Sequence, residues 1–224
     1  MCIRDSVWGV YTEITSSEMI SDEENYLEVA RKYAQQAMAE FTCKQIKSIN
    51  NDLAEGEVER MVDLARQWLK KERGREEFNV IATEKDVEVG YSDLKVRLKI
   101  DRIDQYHRGA VIIDYKTGQC SIGDMDGDRP KDPQLLIYLC AMEQQNFRVA
   151  EVAYARIKRG SVNFLTRDVS TEDIAELETR IEEIADDFLD GKADVDPLPK
   201  ACDYCHVEPI CRKDDRSDHV MESE

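Results

Sequence analysis

Long apolar runs are missing from this 224-residue sequence. No uninterrupted stretch approaches the roughly 18–20 residues that a membrane-spanning helix requires. There is also no charged-then-apolar leader, no internal repeat and no low-complexity linker. Basic residues are the other shortage: 31 Lys and Arg stand against 48 Asp and Glu, a net charge of −17. That deficit argues against a simple electrostatic nucleic-acid binder, because affinity for phosphates comes largely from Lys and Arg releasing counterions. With 42% hydrophobic residues the chain is long enough to build its own core, which excludes a disulfide-dependent miniprotein. The expectation is one cytoplasmic, globular domain without membrane association.

The acidity is uneven. Between Thr171 and Asp196 there are eleven acids and two bases, so this segment carries nine of the seventeen negative charges and reads as a solvated helix face. The seven cysteines are uneven too: Cys202, Cys205 and Cys211 crowd the C-terminal end, which in a reducing compartment favours metal or cluster ligation over disulfides. At the other end Met1–Ser6 read MCIRDS, which looks like the translation of a transposon end used in sequencing-library preparation. The open reading frame is therefore expected to have been cut upstream of Val7, and Cys2 is set aside.

Ser21-Asp22-Glu23-Glu24 has capping-box spacing, and Tyr26, Val29, Ala30, Tyr33, Ala34 and Ala37 recur at helical intervals. A helix is expected to about Lys47. After a polar break around Asn50–Gly56, Val58, Met61, Val62, Ala65, Trp68 and Leu69 mark a second, ending near Arg73-Gly74. The period then changes. Phe78–Val89, Leu94–Asp104 and Ala110–Lys116 read as three antiparallel strands joined by turns containing Gly90 and Gly109. Asp132-Pro133 opens a helix over Gln134–Gln145, with the aspartate as cap and the proline at the first helical position. Val149–Lys158 and Val162–Val169 are two further strands around Gly160, and Thr171–Leu189 is a final helix with Ile174, Leu177, Ile181, Ile184 and Phe188 as its apolar stripe. The order is ααβββαββα with a cysteine-bearing tail. In domain terms, residues 7–75 form a helical part, 76–196 the core and 197–224 the tail, after the extraneous 1–6.

The third strand is continuously apolar through Ala110-Val111-Ile112-Ile113, as a central strand covered on both faces would be, and runs straight into Asp114-Tyr115-Lys116. Residues two apart on a strand share a face, so Asp114 and Lys116 point together. In the second strand Leu94, Val96, Leu98 and Ile100 alternate with Lys95, Arg97, Lys99 and Asp101, but Ile103 then falls on the polar side. This phase slip predicts a bulge or strong twist near Asp101. A hairpin between the two strands brings Asp101 close to Asp114. Two facing carboxylates with one lysine are costly unless a divalent cation lies between them, and Mg²⁺ or Mn²⁺ suits oxygen ligands. Gln134 and Tyr138, four apart on the next helix, share a face and can reach the lysine or a substrate.

In this order and spacing IDRID, IIDYKTG and PQLLIY resemble the nuclease domain of the PD-(D/E)XK superfamily, specifically the RecB/AddB type, over about Glu59–Arg212. The resemblance implies a three-layer, restriction-endonuclease-like α/β fold, a mixed sheet flanked by helices. It implies Asp101 as the second-motif carboxylate, Asp114 and Lys116 as the D-x-K motif, Gln134 and Tyr138 as the trailing Q-x3-Y, and Glu84 as the preceding glutamate. The metal set it suggests is Asp101, Asp114 and Tyr115 around Mg²⁺ or Mn²⁺. The activity implied is DNA phosphodiester hydrolysis on a single strand delivered by a RecB/AddA-like helicase subunit, in DNA repair and recombination. The alternative is a non-catalytic module, stabilised by an iron-sulfur cluster or zinc, that serves DNA binding or assembly. The sequence departs from the family pattern at Leu98, where glycine is usual three before the aspartate, and in QLLIY, where QLPLY is usual.

Cys202, Cys205 and Cys211 form C-x2-C-x5-C. Zinc would need a fourth ligand, with His206 or His219 nearby. In AddB-like nucleases the same trio joins a distant upstream cysteine to hold a 4Fe-4S cluster. Cys43 is the upstream candidate here, but its helical setting favours packing as a small apolar residue, and the fourth ligand is expected to lie upstream of the sequence.

Overall fold

The computed structural model describes residues 6–7, 9–45, 50–127, 129–192, 195, 197–198 and 201–211. Helix α1 (Glu23–Gln45) is capped by Asp22, whose Oδ1 accepts from Asn25 N–H at 3.1 Å. Ser21, expected in that role, instead donates its hydroxyl to the Glu18 carbonyl and closes a preceding turn. Helix α2 (Asn51–Glu72) starts at once after Asn50, whose side chain accepts from Asp52 N–H. The polar segment 50–56 is thus the exposed first turns of a helix. The cap outweighs Gly56, where a side chain would meet open space.

The sheet has β1 (Asn79–Tyr91), β2 (Leu94–Tyr106), β3 (Gly109–Lys116), β4 (Val149–Lys158) and β5 (Ser161–Asp168) in sequence order. Neighbours are antiparallel except β3 and β4. That parallel pair needs a long crossover, which helix α3 (Gln134–Gln144) supplies. Helix α4 (Thr171–Leu189) follows β5, and a short helix α5 (Glu208–Cys211) lies in the tail. The first hairpin turns at Ser92-Asp93, with Ser92 at φ +50°, so Gly90 lies within β1. Gly109 opens β3 at φ +142°, where an added Cβ would stand 2.9 Å from Ala150 Cβ. Close approach of β4 makes glycine necessary there.

The segment ahead of α1 joins helices α1 and α2 on one sheet face: Val7 and Tyr11 from that segment and Trp68 and Leu69 from α2 pack with Val111, Ile113, Tyr115, Ala153 and Ile157. Helices α3 and α4 cover the other, where Leu135, Leu139 and Ala141 meet Ile112, Val152 and Tyr154. This gives three layers, and both faces of β3 are buried from Ala110 to Tyr115. Only the inner half of the α4 stripe is used, since Ile184 and Phe188 are 64% and 70% exposed.

The expected irregularity at Asp101 takes a particular form. Ile100 and Ile103, three apart, join the same cluster on the α3/α4 face, so β2 does change phase between them. Register is nevertheless kept: Thr83 pairs with Arg102 and Lys85 with Ile100. Both strands therefore slip together, with Glu84 opposite Asp101 and Glu84 at φ +49°. This left-handed conformation is uncommon for a non-glycine residue. The one-sided bulge lies further along, at Ile81.

Candidate active site

The β2–β3 register sets Asp101 beside Asp114, and β3 delivers Asp114 and Lys116 onto the α3/α4 face. Asp101 Oδ2 accepts the Tyr115 backbone N–H at 2.9 Å, which ties the two strands where pairing would otherwise end. Asp114 is almost fully buried. Its Oδ2 is ion-paired with Lys116 Nζ at 3.0 Å and accepts from no other group. Burial raises the Asp114 carboxyl to about 6; Lys116 opposes the rise and Asp101 adds to it. Burial alone would pull Lys116 down, but Asp114 and Asp132 beside it hold the ammonium above its ordinary value.

Helix α3 contributes a chain of hydrogen bonds. Lys116 Nζ donates to Gln134 Oε1 at 2.8 Å, Gln134 Nε2 donates to Tyr138 Oη at 2.7 Å, and Tyr138 Oη donates to the Lys99 carbonyl at 2.7 Å. The Q-x3-Y spacing thus spans from the lysine of β3 to the backbone of β2. Of the residues singled out in the sequence, Asp101, Asp114, Lys116, Gln134 and Tyr138 come together. Glu84 lies at the rim, ion-paired with Lys99. The Tyr115 side chain turns to the opposite face, where its hydroxyl accepts from Arg102 at 3.1 Å, so only its main chain belongs to the site.

Two features escaped the sequence reading. Asp132, expected as the helix cap, does accept from Gln134 N–H through Oδ1 at 3.3 Å, although α3 begins one residue later, with Pro133 at the cap position. Its Oδ2 is 3.0 Å from Lys116 Nζ, a second carboxylate on the same ammonium. Behind the site Arg102 is fully buried, bridging Asp104 (2.6 Å) and Glu72 (3.0 Å) over the Tyr11 ring. Arg75 joins the same acids, at 2.6 Å from Glu72 and 2.7 Å from Asp104. Two arginines against two carboxylates keep Glu72 ionised below its ordinary value despite its burial. The alternation in IDRID, which puts Arg102 and Asp104 on the face opposite Asp101, was the available signal.

Among the described residues no three His, Cys, Asp or Glu side chains converge as a metal-holding group. For Mg²⁺ this is no obstacle, because that ion is held by one or two carboxylates and keeps several waters. Asp101 and Asp114 fit it: two adjacent buried carboxylates, one with an oxygen met only by the Lys116 ammonium. A cluster fits less well. Cys202, Cys205 and Cys211 are half-buried, form no disulfide among the described residues, and are not gathered there into a ligand set. The side chain of Cys43, and Cys2 and His219 altogether, lie outside the described residues.

A profile of the PD-(D/E)XK nuclease superfamily matches residues 10–212, and the chain belongs to that superfamily. Its mixed five-stranded sheet between helical layers is the restriction-endonuclease-like core. Among solved structures, the crystal structure of SSO0001 is similar at a TM-score of 0.42 and 16% identity, covering 81% of this chain and 80% of that one. A search of curated protein sequences found no match. Among the described residues no helix is long and apolar enough to cross a membrane.

Proposed function

We propose that this protein is a divalent-metal-dependent deoxyribonuclease whose reacting groups are Asp101, Asp114 and Lys116, with Gln134 as a positioning residue. The observation that carries the reading is Asp114: a buried carboxylate beside a second one, its inner oxygen met only by the Lys116 ammonium at 3.0 Å. When bound between Asp101 and Asp114, Mg²⁺ or Mn²⁺ supplies Lewis-acid neutralisation of the scissile phosphate. Lys116 presents its ammonium where negative charge grows on that phosphate, in a partly buried setting that strengthens its effect. Gln134 fixes the direction of the ammonium, and Tyr138 fixes Gln134. Asp132 is a second carboxylate on Lys116 and would hold the ammonium in place with Asp114 engaged by a cation.

The motifs resemble those of RecB/AddB-type nucleases, and on that resemblance the substrate is a single DNA strand fed by a RecB/AddA-like helicase subunit in repair and recombination. The C-x2-C-x5-C spacing supports a 4Fe-4S cluster in the tail on the same ground alone. The test of the central reading is cleavage of single-stranded and duplex DNA with Mg²⁺, Mn²⁺ or chelator, using the parent and Lys116→Ala. Cleavage should require the cation and fall by about 10²-fold or more in Lys116→Ala, the range for losing one transition-state electrostatic contact. Parental rates in a folded Lys116→Ala protein would overturn the assignment.

A further inference from the structure

A chain of net charge −17 must offer a nucleic acid some local relief from repulsion. The segment 152–167 is where it occurs: Arg156, Lys158, Arg159 and Arg167 with no Asp or Glu among them. Val152 and Tyr154 of β4 face helices α3 and α4, while Ala153, Ala155 and Ile157 face α1 and α2. Strand alternation therefore puts Arg156 and Lys158 on the face that carries Asp114 and Lys116. The parallel register sets Arg156 beside Lys116. Lys158 and Arg159 follow two and three residues on, roughly 7–10 Å beyond the lysine at the usual rise per strand residue.

The tip is a tight turn and the charges on it are unspent. Lys158 pairs with Ser161, which leaves the two-residue turn Arg159-Gly160 with Gly160 at φ +76°. Lys158 and Arg159 are exposed, and among the described residues neither forms an ion pair. The other cationic row near the site differs here: on β2, Lys99 is paired with Glu84 and Arg97 with Glu88. Arg156 is half-buried, with a buried Nε that makes no hydrogen bond.

We infer that the β4–β5 hairpin tip, with Arg156, Lys158 and Arg159, is the surface that grips the phosphodiester backbone of the DNA, an inference that rests on the nuclease reading above. The test is fluorescence anisotropy of labelled oligothymidylate, and of a labelled duplex, in chelator between about 50 and 200 mM salt. Mg²⁺-dependent cleavage of the same oligonucleotides by the parent is measured alongside. Lys158→Gln/Arg159→Gln should bind more weakly and lose about 1.4 from the magnitude of the log K against log salt slope on the single strand, at about 0.7 per phosphate contact. Arg97→Gln/Lys99→Gln, with the same charge change on the neutralised row, should keep the parental slope. Cleavage by the parent with no slope change at the hairpin tip, or an equal change in both double variants, would overturn the proposal and leave the nuclease reading standing. A parent that neither binds nor cleaves DNA would overturn both.

Discussion

Replacing Asp114 by asparagine removes a charge from the buried end of β3 while preserving the shape of the side chain. In the cation-free protein that charge is a burden, because burial and the neighbouring Asp101 raise the carboxyl from 3.8 to about 6. A rise of about two units corresponds to ~3 kcal/mol of differential stability at about 1.36 kcal/mol per unit. Lys116 loses one of its two carboxylate partners in the exchange, so the expected gain near neutral pH is ~1–3 kcal/mol, or roughly 2–12 °C in Tm for a domain of this size. The sign follows from linkage: the folded state holds the proton more tightly than the unfolded state. The penalty is therefore fully present above pH 6, shrinks as pH falls through 6, and vanishes below the ordinary value near 3.8. Thermal melts of parent and Asp114→Asn in chelator, from about pH 7.5 down to about 4.5, should show the variant ahead at the upper end and the two converging at the lower. Nuclease activity should be lost at every pH. A variant less stable than the parent at neutral pH, or a gap that does not narrow with acidification, would refute the argument that Asp114 is a strained carboxylate awaiting a cation.

Other consequences can be checked together. Lys116→Ala should remain folded by circular dichroism while losing DNA cleavage, since the lysine is only partly buried. Asp132→Asn should lower cleavage less than Lys116→Ala does, with partial recovery in Asp132→Glu, because Gln134 still holds the ammonium. Arg102→Met should destabilise by about 3–5 kcal/mol in denaturant unfolding, because it leaves Glu72 and Asp104 buried against Arg75 alone.

Periodicity carried most of the fold. The switch from helical spacing through Leu69 to strand alternation at Phe78 separated the layers, and the uninterrupted apolar run before Asp114 identified the central strand. Where local chemistry competed, the sequence misled: a side-chain cap at Asn50 began α2 a full turn and more before its first buried apolar residue, Val58, and Ser92-Asp93, with no glycine, made the first turn. The phase slip at Ile103 was legible in β2, but not that β1 would slip with it at Glu84, because preserved register is a property of the pair. Asp132 could not be read as a partner of Lys116, since sixteen positions of loop and turn bring it there. The ion network of Glu72, Arg75, Arg102 and Asp104 joins α2 to β2, a contact that single-chain patterning does not encode.

The most direct measurement is calorimetric titration with Mn²⁺ of the parent, Asp101→Asn and Asp114→Asn proteins. If Asp101 and Asp114 hold the cation, the parent should bind it, Asp101→Asn should bind more weakly for want of one anionic ligand, and Asp114→Asn should show no binding at this site. Mn²⁺ affinity unchanged in both folded variants would place the metal elsewhere and contradict the account.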